Sequence, residues 1–282
     1  MPWGELALNT VALVLYPGLL ACAVFGVFAE TVAARALGGG SVPWRGLWSA
    51  VRSGGLPPLA AGAALLIILA ASQLALPFNP LGPSGRNLLV AAAALISAFW
   101  LSWTWAWERP RLDPRLLLTA QACWLAAVLG PALASESLRP QVLGAVLLAA
   151  ALPLKLVAGL VFLLCLPVLL QLVREGGPRG APAAADPIGL EQAGFVAVRA
   201  LLWLPLCGLF ASLFLPLPDD IVGLARSAGA TAGAGAIAIL AAAALNRGRL
   251  LPVRLFYVRV AAPLAAVVLL LAALAEAYPQ IL

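Results

Sequence analysis

With 282 residues of which 63 % are hydrophobic and 10 % charged, and a mean hydropathy of +1.04, the chain lies outside the range of soluble globular proteins, which are about half apolar and a quarter charged. Eleven acids, seventeen bases and no histidine leave few groups for chemistry and disfavour a self-contained enzyme, so no catalytic residue is assigned. The pI near 9.8 does not signal nucleic acid, because the arginines are dealt out a few at a time between apolar stretches instead of being gathered on one patch.

The composition reads as an all-α polytopic membrane protein, a single transmembrane domain over residues 1–282. A bilayer core takes about 20 apolar residues per helix, and that length recurs eight times: Leu6–Phe28, Leu59–Leu76, Leu88–Trp107, Leu116–Ala134, Ala145–Val173, Phe195–Leu217, Ser227–Leu245 and Leu255–Ala275. The first run has no basic segment before it and is read as a retained helix rather than a signal peptide. The fifth is over-long, and Pro153 and Pro167 predict a kink or break in it; nine shorter segments are the alternative count. Cys22, Cys123, Cys165 and Cys207 fall in separate apolar runs without CxxC spacing, so neither a disulfide framework nor a metal or iron–sulfur site is signalled, and they read as small packing residues.

Positive charge sets the expected orientation. The first, third, fifth and seventh connections carry Arg35, Arg45 and Arg52; Arg109, Arg111 and Arg115; Arg174 and Arg179; and Arg247, Arg249 and Arg254, against only Arg86, Arg139 and Arg226 in the other connections. This alternation predicts both termini outside, in a cytoplasmic membrane of the bacterial inner-membrane type. Trp100, Trp103, Trp105 and Trp107 read as an interfacial belt at the cytoplasmic end of the third span.

Two cytoplasmic connections are more than loops. In SVPWRGLWSAVRSGG, Trp44, Leu47, Trp48 and Val51 follow i, i+3, i+4, i+7 spacing while Arg45, Ser49 and Arg52 take the other side, which predicts a short amphipathic interfacial helix over about 42–53. The connection 174–194 is the longest, rich in Gly, Pro and Ala, and reads as flexible unless a partner orders it.

Ionisable groups at membrane depth are default functional candidates. No carboxylate falls at the centre of an expected span: Glu30, Glu136 and Glu276 lie near span ends and read as interfacial. Lys155, after Pro153, is either a buried cation facing a cavity or a base that snorkels to the outer headgroups, and snorkelling is the expectation. Arg199 and Arg259 lie about one turn inside the cytoplasmic ends of their spans and are also expected to snorkel. Asp219 and Asp220 read as solvated turn acids.

The order of these features resembles the NADH dehydrogenase subunit 1 family of respiratory NADH:quinone oxidoreductase, complex I, and the related membrane subunit of group 4 hydrogenases and formate hydrogenlyases. AETVAAR, with Glu30 and Arg35, looks like that family's acidic-then-basic exit from the first helix. PWRGLWSAVRSGGLPP looks like its amphipathic segment, and LPFNPLGPSGRNLLV is similar to its outer loop. ADPIGLEQAGF, with Asp186 and Glu191, resembles the acidic loop before helix six, and RGRLLPVRLFYVRVAAPLA the arginine-rich approach to the last helix. The chain departs from the family in having Lys155 in helix five and Arg199 in helix six where acids are typical.

The resemblance implies a non-catalytic membrane subunit that anchors a peripheral electron-transfer arm. Its partners would be the bilayer, peripheral iron–sulfur subunits and antiporter-like membrane subunits. No cofactor would be bound by this chain itself, with quinone at the interface with partner subunits as the one ligand implied. Quinone-proximal or coupling candidates are then Glu30, Arg35, Asp186, Glu191, Lys155 and Arg199. Docking candidates are Arg109, Arg111, Arg115, Arg247, Arg249 and Arg254, whose guanidinium forks suit partner carboxylates. The competing reading is a small-solute or ion carrier or channel, in which Lys155 and the Gly/Ala-rich GATAGAGAIA segment line a path. Small residues also serve close helix packing, and no inverted repeat of the transporter kind is evident.

Overall fold

The computed structural model describes residues 3–38, 44, 52, 58–105, 113–145, 152–173, 190–247 and 252–277, and no strand occurs among them. The helices are α1 Trp3–Val14, α2 Leu19–Ala36, α3 Pro58–Ser72, α4 Leu88–Trp105, α5 Pro114–Ala134, α6 Pro140–Ala145, α7 Leu152–Leu169, α8 Leu190–Phe214, α9 Ile221–Asn246 and α10 Val253–Ala277. Among the described residues, six stretches are long and apolar enough to cross a membrane: Ala7–Ala36, Pro114–Ala134, Leu152–Leu169, Val196–Phe214, Ile221–Asn246 and Val253–Ala277. Pro58–Ser72 and Leu88–Trp103, at the places of the second and third expected spans, are apolar but shorter.

Local chemistry explains where the expected boundaries move. The first span is two helices, broken between Val14 and Leu19. Pro17 has no N–H to give, and the chain folds back so tightly that a Cβ at Gly18 would overlap the carbonyls of Ala12 and Leu13. Helix α2 then runs on to Ala36, past the expected Phe28. Of the over-long fifth segment, the described parts are α6, Pro140–Ala145, and α7, from Leu152 onward; residues 146–151 lie outside them. Pro153 occupies the first turn of α7, where its missing donor has no acceptor to desert, and Pro167 sits in the last turn. In α10, residues Tyr257–Ala261 form a π-helical turn.

Helix α8 is the hub. It packs against α2, α3, α6, α7 and α9, and Trp203, Cys207, Leu209 and Leu213 are all fully buried. Around it, α3 packs on α4, α5 on α7, and α10 on α5 and α7. Inward and outward faces differ by size more than by polarity. On α2 the buried residues are Cys22, Gly26, Ala29, Glu30 and Ala33, while Leu19, Leu20, Val24, Val27 and Phe28 are exposed. Small residues admit the neighbouring backbone, and large ones are left for lipid. Gly26 is the extreme case, since a Cβ there would overlap the carbonyl of Ala200 on α8.

Cross-contacts sort the helix ends. Asn246 Nδ2 at the end of α9 donates to Leu172 O at 2.9 Å, and Tyr257 Oη at the start of α10 donates to Leu164 O at 2.6 Å. One end of the bundle therefore gathers the C-termini of α2, α7 and α9 with the N-termini of α8 and α10. Arg35, Arg247 and Arg254 are exposed there, as is Arg115 at the start of α5. The opposite end holds the 73–88 loop, Asp219 and the α6–α7 region.

Candidate functional site: a buried ion pair between α2 and α8

At the arginine-bearing end, α2 and α8 approach closely enough for side chains on facing turns to interlock, because Gly26 lets the α8 backbone in. One turn beyond Gly26, Glu30 is 1 % exposed. Its Oε1 accepts from Arg199 Nε at 2.7 Å and from Trp203 Nε1 at 2.8 Å, and its Oε2 accepts from Arg199 Nη2 at 2.6 Å. Arg199 and Trp203 are four residues apart and so share one face of α8. The pair is bidentate, the geometry in which a guanidinium holds a carboxylate most strongly, and the fully buried Trp203 shields it on one side. A carboxylate taken out of water in this way needs such compensation, since an uncompensated buried charge costs several kcal/mol.

This corrects the expectation for two residues. Glu30 is not an interfacial acid, and Arg199 does not snorkel: its side chain, 17 % exposed, turns back into the bundle. Trp203 was missed by sequence reasoning, although its i+4 position after Arg199 on an apolar helix was an available signal.

Lys155 is elsewhere. It is 8 % exposed, and its Nζ donates to the carbonyl of Leu143 and, at 3.4 Å, to that of Gly144. Gly144 lies against the carbonyls of Ser212, on α8, and of Leu215, just past its end. Thirteen residues of α8 separate Arg199 from Ser212, roughly 20 Å along the axis, so Lys155 and the Glu30–Arg199 pair sit at opposite ends. The expected snorkelling is replaced by capping: the ammonium binds carbonyls at the C-terminal end of α6, where the helix dipole favours a cation.

The remaining candidates divide. Arg35, Arg115, Arg247 and Arg254 are exposed at the end that carries the ion pair. Asp186, Arg109, Arg111 and Arg249 lie outside the described residues, as does the side chain of Glu191. The expected amphipathic helix over 42–53 also lies outside them except for Trp44 and Arg52; Trp44 Nε1 donates to Thr31 Oγ1 of α2 at 3.2 Å. The indole of Trp100, read as part of a belt, donates to Gln121 Oε1 on α5 at 2.9 Å and meets Trp103 edge-on.

At the other end a buried arginine organises the 73–88 loop. Arg86 Nε donates to Leu81 O at 2.8 Å and Nη2 to Asn79 O at 3.1 Å, while Asn79 Nδ2 donates to Ser72 O and Leu74 O. Asp219, read as a solvated turn acid, accepts from Phe78 N at 2.6 Å and so ties the turn before α9 to this loop. Burial pushes the Arg86 guanidinium below its ordinary value, and the nearby Asp219 carboxylate opposes that shift. Asp220 caps α9 through Gly223 N at 2.6 Å. Among the described residues no group of three or more His, Cys, Asp or Glu is placed to hold a metal.

The sequence matches no protein-family model and no curated protein. The fold, however, is similar to that of a solved chain from the membrane-bound sulfane sulfur reductase, an archaeal respiratory membrane complex. The TM-score is 0.62 at 15 % identity, covering 96 % of this chain and 98 % of that one. The correspondence is one of architecture, end to end.

Proposed function

We propose that this chain is a membrane subunit of a complex I-like or membrane-bound hydrogenase-like oxidoreductase, a divergent member of the NADH dehydrogenase subunit 1 family that seats a peripheral electron-transfer arm. The observation that carries the reading is the end-to-end fold similarity to a chain of a respiratory membrane complex, joined to the order of features along the sequence. In this reading α3 and α4 complete a set of eight spans, both termini face outside, and the arginine-bearing end is cytoplasmic. Exposed Arg115, Arg247 and Arg254 would pair with carboxylates of the arm, and Arg109, Arg111 and Arg249 would extend that surface. Iron–sulfur subunits would carry the electrons, with antiporter-like subunits alongside in the membrane.

Quinone would approach along α2 between the 42–53 segment and α8, with Arg35, Asp186 and Glu191 as the nearest polar groups. The residues fit an entrance wall: Val24, Val27 and Phe28 present an exposed apolar flank that leads to a charged end. Glu30 and Arg199 would hold that wall rigid, each occupied by the other. On α9, Gly235 lies against the ring of Trp203, which supports a packing role at that position, while Gly229 and Gly233 face open space.

Purification of the tagged chain from native membranes in mild detergent tests the reading. Iron–sulfur and antiporter-like subunits should come with it; a lone protein that moves a solute in liposomes would overturn it.

A further inference from the structure

Helices α5 and α7 pack against each other as an antiparallel pair. Gly130 of α5 faces the Leu154 side chain at the start of α7, and the rings of Trp124 and Phe162 meet with centroids 6.0 Å apart. One step further along, Cys123 faces Cys165, the two thiols within hydrogen-bond reach of each other. Both cysteines are reduced and buried, Cys123 at 3 % and Cys165 at 0 % exposure. Tyr257, where the π-helical turn of α10 begins, lies beside both sulfurs, and its hydroxyl donates to the Leu164 carbonyl. Toward lipid, the residues flanking Cys123 are small: Ala122 is exposed, and Thr119 and Ala126, one turn away on either side, are half-buried. The other two cysteines have different neighbours. Cys22 Sγ donates to Pro17 O at 3.6 Å, and Cys207 packs against Gly235 of α9.

We propose that Cys123 and Cys165 form an oxidation site, at which an organic hydroperoxide dissolved in the bilayer converts the two thiols to a disulfide that joins α5 to α7. A solitary buried thiol is inert. Here a second sulfur stands in contact, ready to condense with a sulfenic acid and end the sequence at a disulfide. Cys123, nearer to lipid, reacts first. Its sulfur attacks the terminal peroxide oxygen, the O–O bond breaks, and the thiol proton leaves with the alkoxide as an alcohol. The Cys165 sulfur then attacks the sulfenic sulfur; the S–O bond breaks, the S–S bond forms, and the hydroxyl takes the second thiol proton as water. The two sulfurs give up two electrons and the peroxide gains them. Depth selects the oxidant, since Cys123 lies nine residues beyond Pro114, about 13 Å along α5, in hydrocarbon that a charged oxidant does not enter. The pair belongs to this chain whether or not it joins any assembly.

The test uses the full chain in liposomes, with cumene hydroperoxide as the lipid-soluble oxidant and N-ethylmaleimide, added in denaturant, to mark the thiols that remain. Mass spectrometry should find a disulfide joining tryptic peptide 116–155 to peptide 156–174 within one chain. Cys123 and Cys165 should be lost together, roughly tenfold faster than Cys22 and Cys207. Cys165→Ala should leave Cys123 as a sulfenic acid that dimedone traps, and Cys123→Ala should leave Cys165 reduced. The natural chain keeps the test in force if either variant does not fold, because Cys22 and Cys207 serve as its internal controls. Loss of all four thiols at one rate, absence of the linked peptides, a link between two chains, or an equal yield from tetrathionate, which is charged and stays in water, would each overturn the proposal.

Discussion

Glu30 and Arg199 stand 169 positions apart in the chain, yet their side chains share two hydrogen bonds of 2.7 and 2.6 Å inside the bundle. The contact locks α2, whose outer face is left to lipid, onto α8, the most buried of the spanning helices. It also joins the two helices that, in the proposed function, flank the approach of quinone.

Removing one member of this pair strands the other. Arg199→Leu should cost about 3–5 kcal/mol, whereas Glu30→Leu with Arg199→Leu should cost less than Arg199→Leu alone, because no buried charge remains. A double-mutant cycle by thermal unfolding in detergent measures the coupling. Additive losses would mean that the two side chains do not depend on each other.

Gly26→Ala should act on the same contact without touching a charge. Its new Cβ meets the Ala200 carbonyl, so α2 must move away from α8, at a cost of about 1–3 kcal/mol. A loss of thermal stability smaller than that of Arg199→Leu, with faster amide exchange in α2, is the expected result. An unchanged melting profile would show that the helices yield freely.

Lys155→Met should leave the carbonyls of Leu143 and Gly144 without their donor, costing about 1–3 kcal/mol and raising amide exchange in α6. Coupled turnover of the assembly should otherwise persist, because the lysine lies at the opposite end from the ion pair. Loss of turnover with stability intact would restore Lys155 as a coupling residue.

Charge reversal at Arg115, Arg247 and Arg254 should leave the bundle folded, since all three are exposed, but should release the peripheral arm at lower salt than the natural chain does. Salt sensitivity is the diagnostic, because exposed pairs are screened within about 10 Å at 0.1 M ionic strength. Retention of the arm at every salt concentration would remove these arginines from the docking surface.

Much of the architecture was legible. Long apolar runs dictate spanning helices because no other arrangement satisfies the backbone in hydrocarbon, and the arginines' alternation anticipated that Arg35, Arg115, Arg247 and Arg254 would share an end. The break at Pro17–Gly18 was legible in principle, since proline followed by glycine is a strong helix breaker, but the uniform hydrophobicity around it argued for one span. Pro153, anticipated as a kink or break, falls in the first turn of α7.

The site was less legible, for a reason tied to the composition. Where both faces of a helix are apolar, periodicity does not reveal which face is buried, and the distinction passes to side-chain size, as on α2. Glu30, Arg199 and Lys155 were picked out as costly charges, but depth alone left each the option of reaching the interface. What decided against it was a partner on another helix: Arg199 and Trp203 for Glu30, the carbonyls of Leu143 and Gly144 for Lys155. The sequence by itself determined that this protein spans a membrane as helices and bears its arginines unevenly, because those properties follow from composition along one dimension. Tertiary structure alone decided which charges neutralise each other, because a low-dielectric interior makes each polar group's energy depend on a neighbour contributed by a distant part of the chain.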